Sequence, residues 1–127
     1  MTAKVRGIRG AITVDADDSS AIVSATKRLL CAMTTDNHVE LDDIASVLFS
    51  LTPDLRSAFP ALAAREMGWQ HVPMLHFVEV DVPGALPRVI RVLMHVNTVQ
   101  SQRAIAHIYL EGARVLRPDL TDGLAPQ

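Results

Sequence analysis

The chain has 127 residues, of which 49% are hydrophobic, with one cysteine and a formal net charge of -2. This length suits one domain with a sizeable core, and the charge excludes the basic field expected of a protein that binds nucleic acid or an acidic membrane. No apolar signal region or membrane-spanning run occurs, and a lone cysteine rules out a disulfide framework, so we expect a cytoplasmic protein. The high hydrophobic content indicates further apolar surface buried between subunits.

The first predicted elements are a strand and a long helix. Lys4–Val14 is predicted to be a strand in which Arg6 and Arg9 face opposite sides, because side chains alternate along an extended chain. Only one of these arginines can face a common pocket, and the other is expected to be solvated or paired. Capping residues at 15–20 then precede a helix of about 18 residues. Its apolar positions follow the helical repeat and should face the core: Ile22, Ala25, Thr26, Leu29, Leu30 and Met33.

The middle of the chain is predicted to contain a buried strand and a short helix. Ile44–Leu51 is apolar and is closed by the turn signal Thr52–Asp54. Pro60 suits the first turn of a short helix, from which Arg65 would project, with Phe59 at its mouth. Core packing would explain Phe59, and a solvated helix face would explain Arg65, as well as a functional role would. The sequence therefore leaves the role of both residues open.

Val72–Val80 is predicted to be a third strand. Glu79 shares a face with Leu75 and Phe77, while the opposite face carries Met74, His76, Val78 and Val80. A carboxylate among apolar side chains requires a partner. A metal site is not expected, because no pair of His, Cys or carboxylates shows ligand spacing on one element.

The run Pro87–Val96 consists of branched apolar residues with Arg91 in its middle, which is typical of a buried strand. A guanidinium there is unfavourable because it cannot lose its charge by deprotonation. We therefore expect Arg91 to pair with a carboxylate or to face a pocket that takes an anion. If the strand of Glu79 lies beside this one, the two charges can pair across such a pocket.

The last predicted elements are two short strand pieces, His107–Leu110 and Gly112–Leu116. The first contains Tyr109, whose hydroxyl requires a partner if it is buried. Residues 121–127 are expected to form a flexible tail, which leaves residues 1–120 as a single domain. Together the elements predict an α+β fold with a mixed or antiparallel sheet packed on helices.

Four arginines stand among apolar or small residues: Arg9, Arg65, Arg91 and Arg117. With one glutamate and one tyrosine they form a set suited to binding an anion, most simply a dicarboxylate. The sequence contains no phosphate-binding loop, nucleophile elbow or cofactor motif. A reaction that needs neither a nucleophile nor a cofactor fits this set.

The chain resembles the AroH-class monofunctional chorismate mutases from about Val5 to Leu120. The resemblance lies in the strand of Glu79 and in the stretches RGIRGAITV, TPDLRSAFPALAAREMGWQ, PGALPRVIRVLMHV and HIYLEGARVLRPDL. It implies a homotrimer of ferredoxin-like subunits with a pseudo α/β-barrel core and three active sites at the subunit interfaces. It also implies the cofactor-independent Claisen rearrangement of chorismate to prephenate, in phenylalanine and tyrosine biosynthesis.

The resemblance also implies roles for individual residues. Arg91 matches the arginine that donates to the ether oxygen of the breaking bond, and Glu79 matches the carboxylate that accepts from the ring hydroxyl. Arg9 and Tyr109 match residues that hold the side-chain carboxylate. The other matched positions are two arginines near the pocket mouth and five wall residues: Arg65, Arg117, Phe59, Ala61, Met74, Leu75 and Leu116.

Two positions depart from the pattern of this family. His76 stands where members can carry a small polar or thiol residue, and its imidazole could reach the substrate ring or narrow the pocket. Leu62 stands where members can carry a lysine, so one cation of the rim is lost. Two alternative functions stay open: a trimeric enamine/imine deaminase, and a non-catalytic trimer that binds an aromatic metabolite.

Overall fold

The computed structural model describes residues 2–121, with backbone only for Leu120 and Thr121. Three short 3₁₀ turns, at Leu41–Asp43, Gln102–Ala104 and Glu111–Leu116, accompany the main elements. Apart from Thr121, which ends the last helix, the predicted tail lies outside the described residues. In chain order the strands and helices are β1 (Lys4–Thr13), α1 (Ser19–Asp36), β2 (Ile44–Leu51), α2 (Ala61–Glu66), β3 (Met74–Val78), β4 (Val89–Thr98), β5 (Ile108–Leu110) and α3 (Pro118–Thr121).

The five strands form one mixed sheet in the order β3-β2-β4-β1-β5. Strand β4 is central and pairs antiparallel with both β1 and β2. The outer pairs, β1 with β5 and β2 with β3, are parallel. The predicted α+β fold with a mixed sheet is therefore confirmed.

Helix α1 covers one face of the sheet and forms the main core with it. Its N-terminus is capped by Asp18, whose carboxylate accepts from the backbone N–H of Ala21 at 3.0 Å. All six predicted core positions of the helix are buried, and the five apolar ones pack with Ile8, Ile12 and Met94 of the sheet. Among the described residues, no helix is long and apolar enough to cross a membrane.

The opposite face of the sheet, which we call the open face, presents both charged and apolar side chains. Arg91 on β4 lies level with Ala11 on β1 and Ser50 on β2, and Ser50 lies level with Phe77 on β3. Phe77 is 50% exposed and Leu75 is 60% exposed in the single chain. The open face therefore exposes large apolar side chains to solvent in the single chain.

The prediction of a strand at Gly112–Leu116 is wrong, because these residues lie in the 3₁₀ turn that begins at Glu111. Glu111 adopts a φ of 52°, which turns the chain away from the direction of β5. The backbone N–H of Gly112 then donates to the side chain of Thr13 at 2.8 Å. Ala113 and Val115 alternate with polar or small residues in the sequence, but only Ala113 is buried, and Val115 is 69% exposed.

Replacing Gly10 with alanine is expected to destabilise the protein by about 1–3 kcal/mol through overpacking. Gly10 faces α1, and a Cβ there would overlap Met33 Sδ and lie 3.1 Å from Leu29 Cδ1. Gly7→Ala is the matched control, since its Cβ would meet only Leu93 Cδ1 at 3.5 Å. Urea unfolding of both variants measures the difference, and equal unfolding midpoints would contradict the prediction.

Candidate active site

A cavity of about 480 Å³ on the open face brings together four predicted site residues from four parts of the sheet. Arg9 comes from β1, Arg91 from β4, Tyr109 from β5, and Glu79 follows the end of β3. Apolar side chains, including Leu48, Phe77 and Leu93, complete the lining. The cavity therefore combines cations, a carboxylate and a phenol with apolar walls, which suits a small organic anion.

Arg91 and Glu79 form an ion pair, with Arg91 Nε 3.7 Å from Glu79 Oε1. The pairing was expected on the condition that the two strands are neighbours, but β2 lies between β3 and β4. Glu79 reaches Arg91 because it lies beyond the end of β3, where its backbone N–H donates to the carbonyl of Leu51 at 2.8 Å. The expected pairing is confirmed, although the path of the chain differs from the expected one.

The guanidinium of Arg91 is less buried than the apolar run suggests. Its side chain is 43% exposed in the single chain, because β4 buries only the face that packs on α1. The Nε atom itself is buried and has no hydrogen-bond partner among the described residues. A buried donor without a partner is unfavourable, so the guanidinium of Arg91, which lines the cavity, has an unsatisfied hydrogen-bonding group.

The two arginines of β1 face opposite environments, as the alternation predicted. Arg6 Nε donates to the carbonyl of Gln100 at 3.1 Å, so this arginine is the paired one. Arg9 lines the cavity, and its backbone N–H donates to Nδ1 of His107 at 2.9 Å. His107 was not among the predicted site residues, and nothing in the sequence marked it as functional.

His107 holds the backbone of Arg9 as a neutral imidazole. Burial lowers the pKa of His107 to about 4, and the positive charges of Arg9 and Arg117 act in the same direction. The ring therefore keeps an unprotonated nitrogen that accepts from Arg9 at neutral pH.

This lowered pKa predicts a pH-dependent contribution to stability. The pKa of an unperturbed histidine is 6.5, so between about pH 4 and pH 6.5 the unfolded chain binds a proton at His107 that the folded chain does not. The free energy of unfolding should therefore fall as the pH is lowered through this window. His107→Asn keeps an acceptor for Arg9 and should show a shallower fall in urea unfolding than the wild type. His38 is exposed, and His38→Asn controls for the loss of an imidazole. If the free energy of unfolding fell equally with pH in all three proteins, the prediction would be wrong.

Tyr109 forms the inner end of the cavity and is 7% exposed. It packs in a small cluster with Ala11 and Ala113, against which Leu116 is also packed. Arg117 lies close enough to interact electrostatically with Tyr109. Its guanidinium donates to both carboxylate oxygens of Asp119, and this hydrogen bonding raises the pKa of Arg117 above its ordinary value.

The remaining predicted residues form a second group around α2 and β3, which does not line this cavity. His76 belongs to that group. Its Nε2 accepts from the backbone N–H of Ala61 at 3.1 Å. Its ring stacks on that of Phe49, with 5.3 Å between the ring centroids. Burial is the main cause that lowers the pKa of His76, followed by the charge of Arg65. Phe59 is 66% exposed, and the centroid of its ring lies 5.1 Å from that of the same imidazole.

Within one chain, His76 therefore supports the start of α2 and does not contact the cavity of Arg91. Its side chain lies on the face of β3 that packs towards α2, opposite to Leu75 and Phe77. A second cavity of about 490 Å³ lies beside it and includes Phe59 and His76. Phe77 lines both cavities, so the two groups lie on either side of the edge strand.

Ser50 is a cavity residue that the sequence did not reveal. Its hydroxyl donates to Oε1 of Glu79, the same oxygen that faces Arg91. A serine within an apolar strand carries no signal of function, and only the pairing of β2 with β4 places it beside the two charges.

Fold and cavity together define a class of protein: a small α+β protein with a cavity that is lined by arginines and a carboxylate and suits an organic anion. The model of one family, chorismate mutase type I, matches residues 5–120 of the chain. The chain belongs to this family, and its activity is that of the family, the isomerisation of chorismate to prephenate.

Individual relatives agree with this assignment. The chain is 53% identical to the chorismate mutase AroH of Thermus thermophilus over 117 residues, which cover 91% of this chain and 96% of that protein. It is 48% identical to the chorismate mutase AroH of Bacillus subtilis (strain 168) over 118 residues, which cover 92% and 93% of the two chains. A solved structure of a chorismate mutase from Clostridium thermocellum superposes with a TM-score of 0.85 at 49% identity, covering 86% of this chain and 97% of that one.

Proposed function

We propose that the cavity of Arg91 and Glu79 is the site where chorismate rearranges to prephenate. The observation that carries this proposal is the Nε of Arg91, a buried donor that lacks a hydrogen-bond partner among residues 2–121, on a side chain that lines a cavity of about 480 Å³. Such a donor suits an oxygen that gains negative charge during the reaction.

The first contribution to the rate is conformational. The rearrangement is intramolecular, so chorismate must adopt a compact shape in which its two reacting carbons meet. Arg9 and Tyr109 bind the side-chain carboxylate from one end of the cavity, and Glu79 accepts from the ring hydroxyl at the other. Holding reacting groups in one geometry can contribute up to about 7–11 kcal/mol to lowering a barrier.

The second contribution is electrostatic. Negative charge gathers on the ether oxygen as its bond to carbon stretches, and Arg91 donates to that oxygen. A fixed cation in a cavity with little water stabilises this charge without first having to reorient. Glu79 balances Arg91 when the cavity is empty, which keeps the guanidinium in place.

We also propose that the protein is a homotrimer with a pseudo α/β-barrel core and an active site at each subunit interface. Two observations support this: the second group of predicted residues lies apart from the cavity within one chain, and apolar side chains around β3 are exposed. A second copy seated on this edge would bury that surface and supply the outer wall and the cations at the mouth. The residues proposed for that wall and mouth are Phe59, Ala61, Arg65, Met74, Leu75 and His76, with Leu116 and Arg117 from the side of Tyr109.

We place the enzyme in the cytoplasm, since Cys31 is a free, exposed thiol of the kind that persists in a reducing compartment. We propose no cofactor, because conformational restriction and a fixed cation are sufficient for the rearrangement.

The activity is tested by adding the purified protein to chorismate and following the loss of its ultraviolet absorbance. We expect saturable loss of chorismate with formation of prephenate. Saturable binding without turnover would instead support the non-catalytic binder. Hydrolysis of an imino acid without loss of chorismate would support the deaminase.

The trimer is tested by analytical ultracentrifugation together with a change on the exposed edge. Val78 is 75% exposed in the single chain, and Val78→Asp would place a charge in the proposed interface. We expect the wild type to sediment at three times the mass of the chain, and the variant to dissociate and lose activity. Val115→Asp, at a side chain that is 69% exposed on the 3₁₀ turn, is the comparison variant. A fully active wild-type monomer would contradict the proposal.

A further inference from the structure

We propose that Ser50 is a positioning residue that holds Glu79 in place and thereby keeps the Nε of Arg91 free for the substrate. The inference rests on the proposed roles of Glu79 and Arg91, and it adds a residue to which the family resemblance assigned no role.

Ser50 lies where three strands meet on the open face. In the sheet it is level with Arg91 on β4 and with Phe77 on β3. Its hydroxyl donates to Oε1 of Glu79 and lines the same cavity. The same Oε1 atom forms the ion pair of the Glu79 carboxylate with Arg91, at 3.7 Å from Arg91 Nε.

Glu79 requires such support because of its place in the chain. Strand β3 ends at Val78, and Glu79 makes one further backbone hydrogen bond to the end of β2. The backbone of Glu79 is held by the carbonyl of Leu51, but three side-chain torsions are left to be fixed. A hydrogen bond from a rigid strand to one carboxylate oxygen restricts those torsions.

The consequence concerns Arg91 more than Glu79. A separation of 3.7 Å between Nε and Oε1 is an ion pair but is too long for a good hydrogen bond. Three groups from other strands also face the carboxylate across the cavity: Arg91 on β4, Arg9 on β1 and Tyr109 on β5. Without Ser50, the glutamate could swing towards Arg91 and occupy the donor that the ether oxygen needs.

The test compares Ser50→Ala with two further variants. Ser50→Ala should lower kcat about tenfold and change KM less than about threefold, since the donor of Arg91 matters most as charge develops and a hydrogen bond to a charged group is of this size. Ser50→Thr keeps the hydroxyl and should restore kcat to within about threefold of the wild type, on the same reasoning.

Ser46→Ala is the matched control. Ser46 lies on the same face of β2, and its hydroxyl is 2.9 Å from Nδ1 of His95, outside the cavity. Both of its kinetic constants should stay at wild-type values.

A double-mutant cycle separates positioning from a merely structural role. If Ser50 acts through Glu79, Ser50→Ala should reduce kcat less than about twofold when Glu79 is already alanine. The same tenfold loss in that background, an unchanged kcat in Ser50→Ala, or an equal loss in Ser46→Ala would overturn the proposal.

Failure of the proposed function has a different signature. If the wild type does not convert chorismate, the urea unfolding midpoints of Ser50→Ala, Glu79→Ala and the double variant still report whether the two side chains interact. Non-additive shifts would support the contact on which the inference rests, and additive shifts would overturn it.

Discussion

Arg91→Lys is expected to reduce kcat about 10²- to 10³-fold, the largest effect of any single change proposed for this enzyme. Lysine keeps the positive charge but loses the planar guanidinium and its Nε donor, which is buried and has no hydrogen-bond partner among the described residues. Because the lost interaction is made mainly in the transition state, kcat should fall more than KM rises. Steady-state kinetics on chorismate measure both constants.

The control for this change is Arg88→Lys. The Nε of Arg88 also donates a hydrogen bond, at 2.9 Å to the carbonyl of Val14, but Arg88 does not line the cavity. We expect its kcat to remain close to that of the wild type. If kcat of Arg91→Lys stayed within tenfold of the wild type, the proposed stabilisation of the ether oxygen would be wrong.

Removing Glu79 is expected to have the second largest effect on activity. Glu79→Ala takes away the acceptor for the substrate hydroxyl and leaves Arg91 without the carboxylate 3.7 Å away. Hydrogen bonds to charged groups contribute about 1.5–3 kcal/mol, so kcat/KM should fall roughly 10- to 100-fold. Glu79→Gln keeps the shape and an acceptor oxygen without the charge, and its activity should lie between those of the alanine variant and the wild type.

A glutamate in an ion pair elsewhere on the surface provides the comparison. The Oε1 atom of Glu66 lies 2.7 Å from the Nζ atom of Lys27, and neither residue lines the cavity of Arg91. Exposed ion pairs of this kind contribute little to stability. Glu66→Ala should leave kcat/KM unchanged. Wild-type activity in Glu79→Ala would show that this carboxylate neither binds the hydroxyl nor orients Arg91.

The local structure was predictable wherever one periodic pattern dominated. The core face of α1 and the bounds of β2 agree with the sequence, because burial of one helix face or one apolar run is written directly into residue order. The same logic failed at Gly112–Leu116, where alternation came from a turn and not from a strand. The exposure of Arg91 was also misjudged, since an apolar run does not reveal that only one face of β4 is covered.

The residues of the site were likewise only partly predictable from the sequence. The matched motifs named Arg9, Glu79, Arg91 and Tyr109, and the structure brings these four into one cavity. His76 was expected near the substrate although it departs from the family pattern, but in the single chain its imidazole accepts from the backbone N–H of Ala61 at the start of α2. Neither Ser50 nor His107 carried a signal, because each acts through a contact with a residue distant in sequence.

The sequence by itself determined the elements, the mixed α+β class and the chemical types that the site would contain, because these follow from local periodicity and from motifs. The tertiary structure alone decided which atoms meet. The order β3-β2-β4-β1-β5 places β2 between the strand of Glu79 and the strand of Arg91, and so inserts Ser50 between the two charges. Strand order and register depend on contacts between residues far apart in the chain. Composition and local spacing therefore do not predict them.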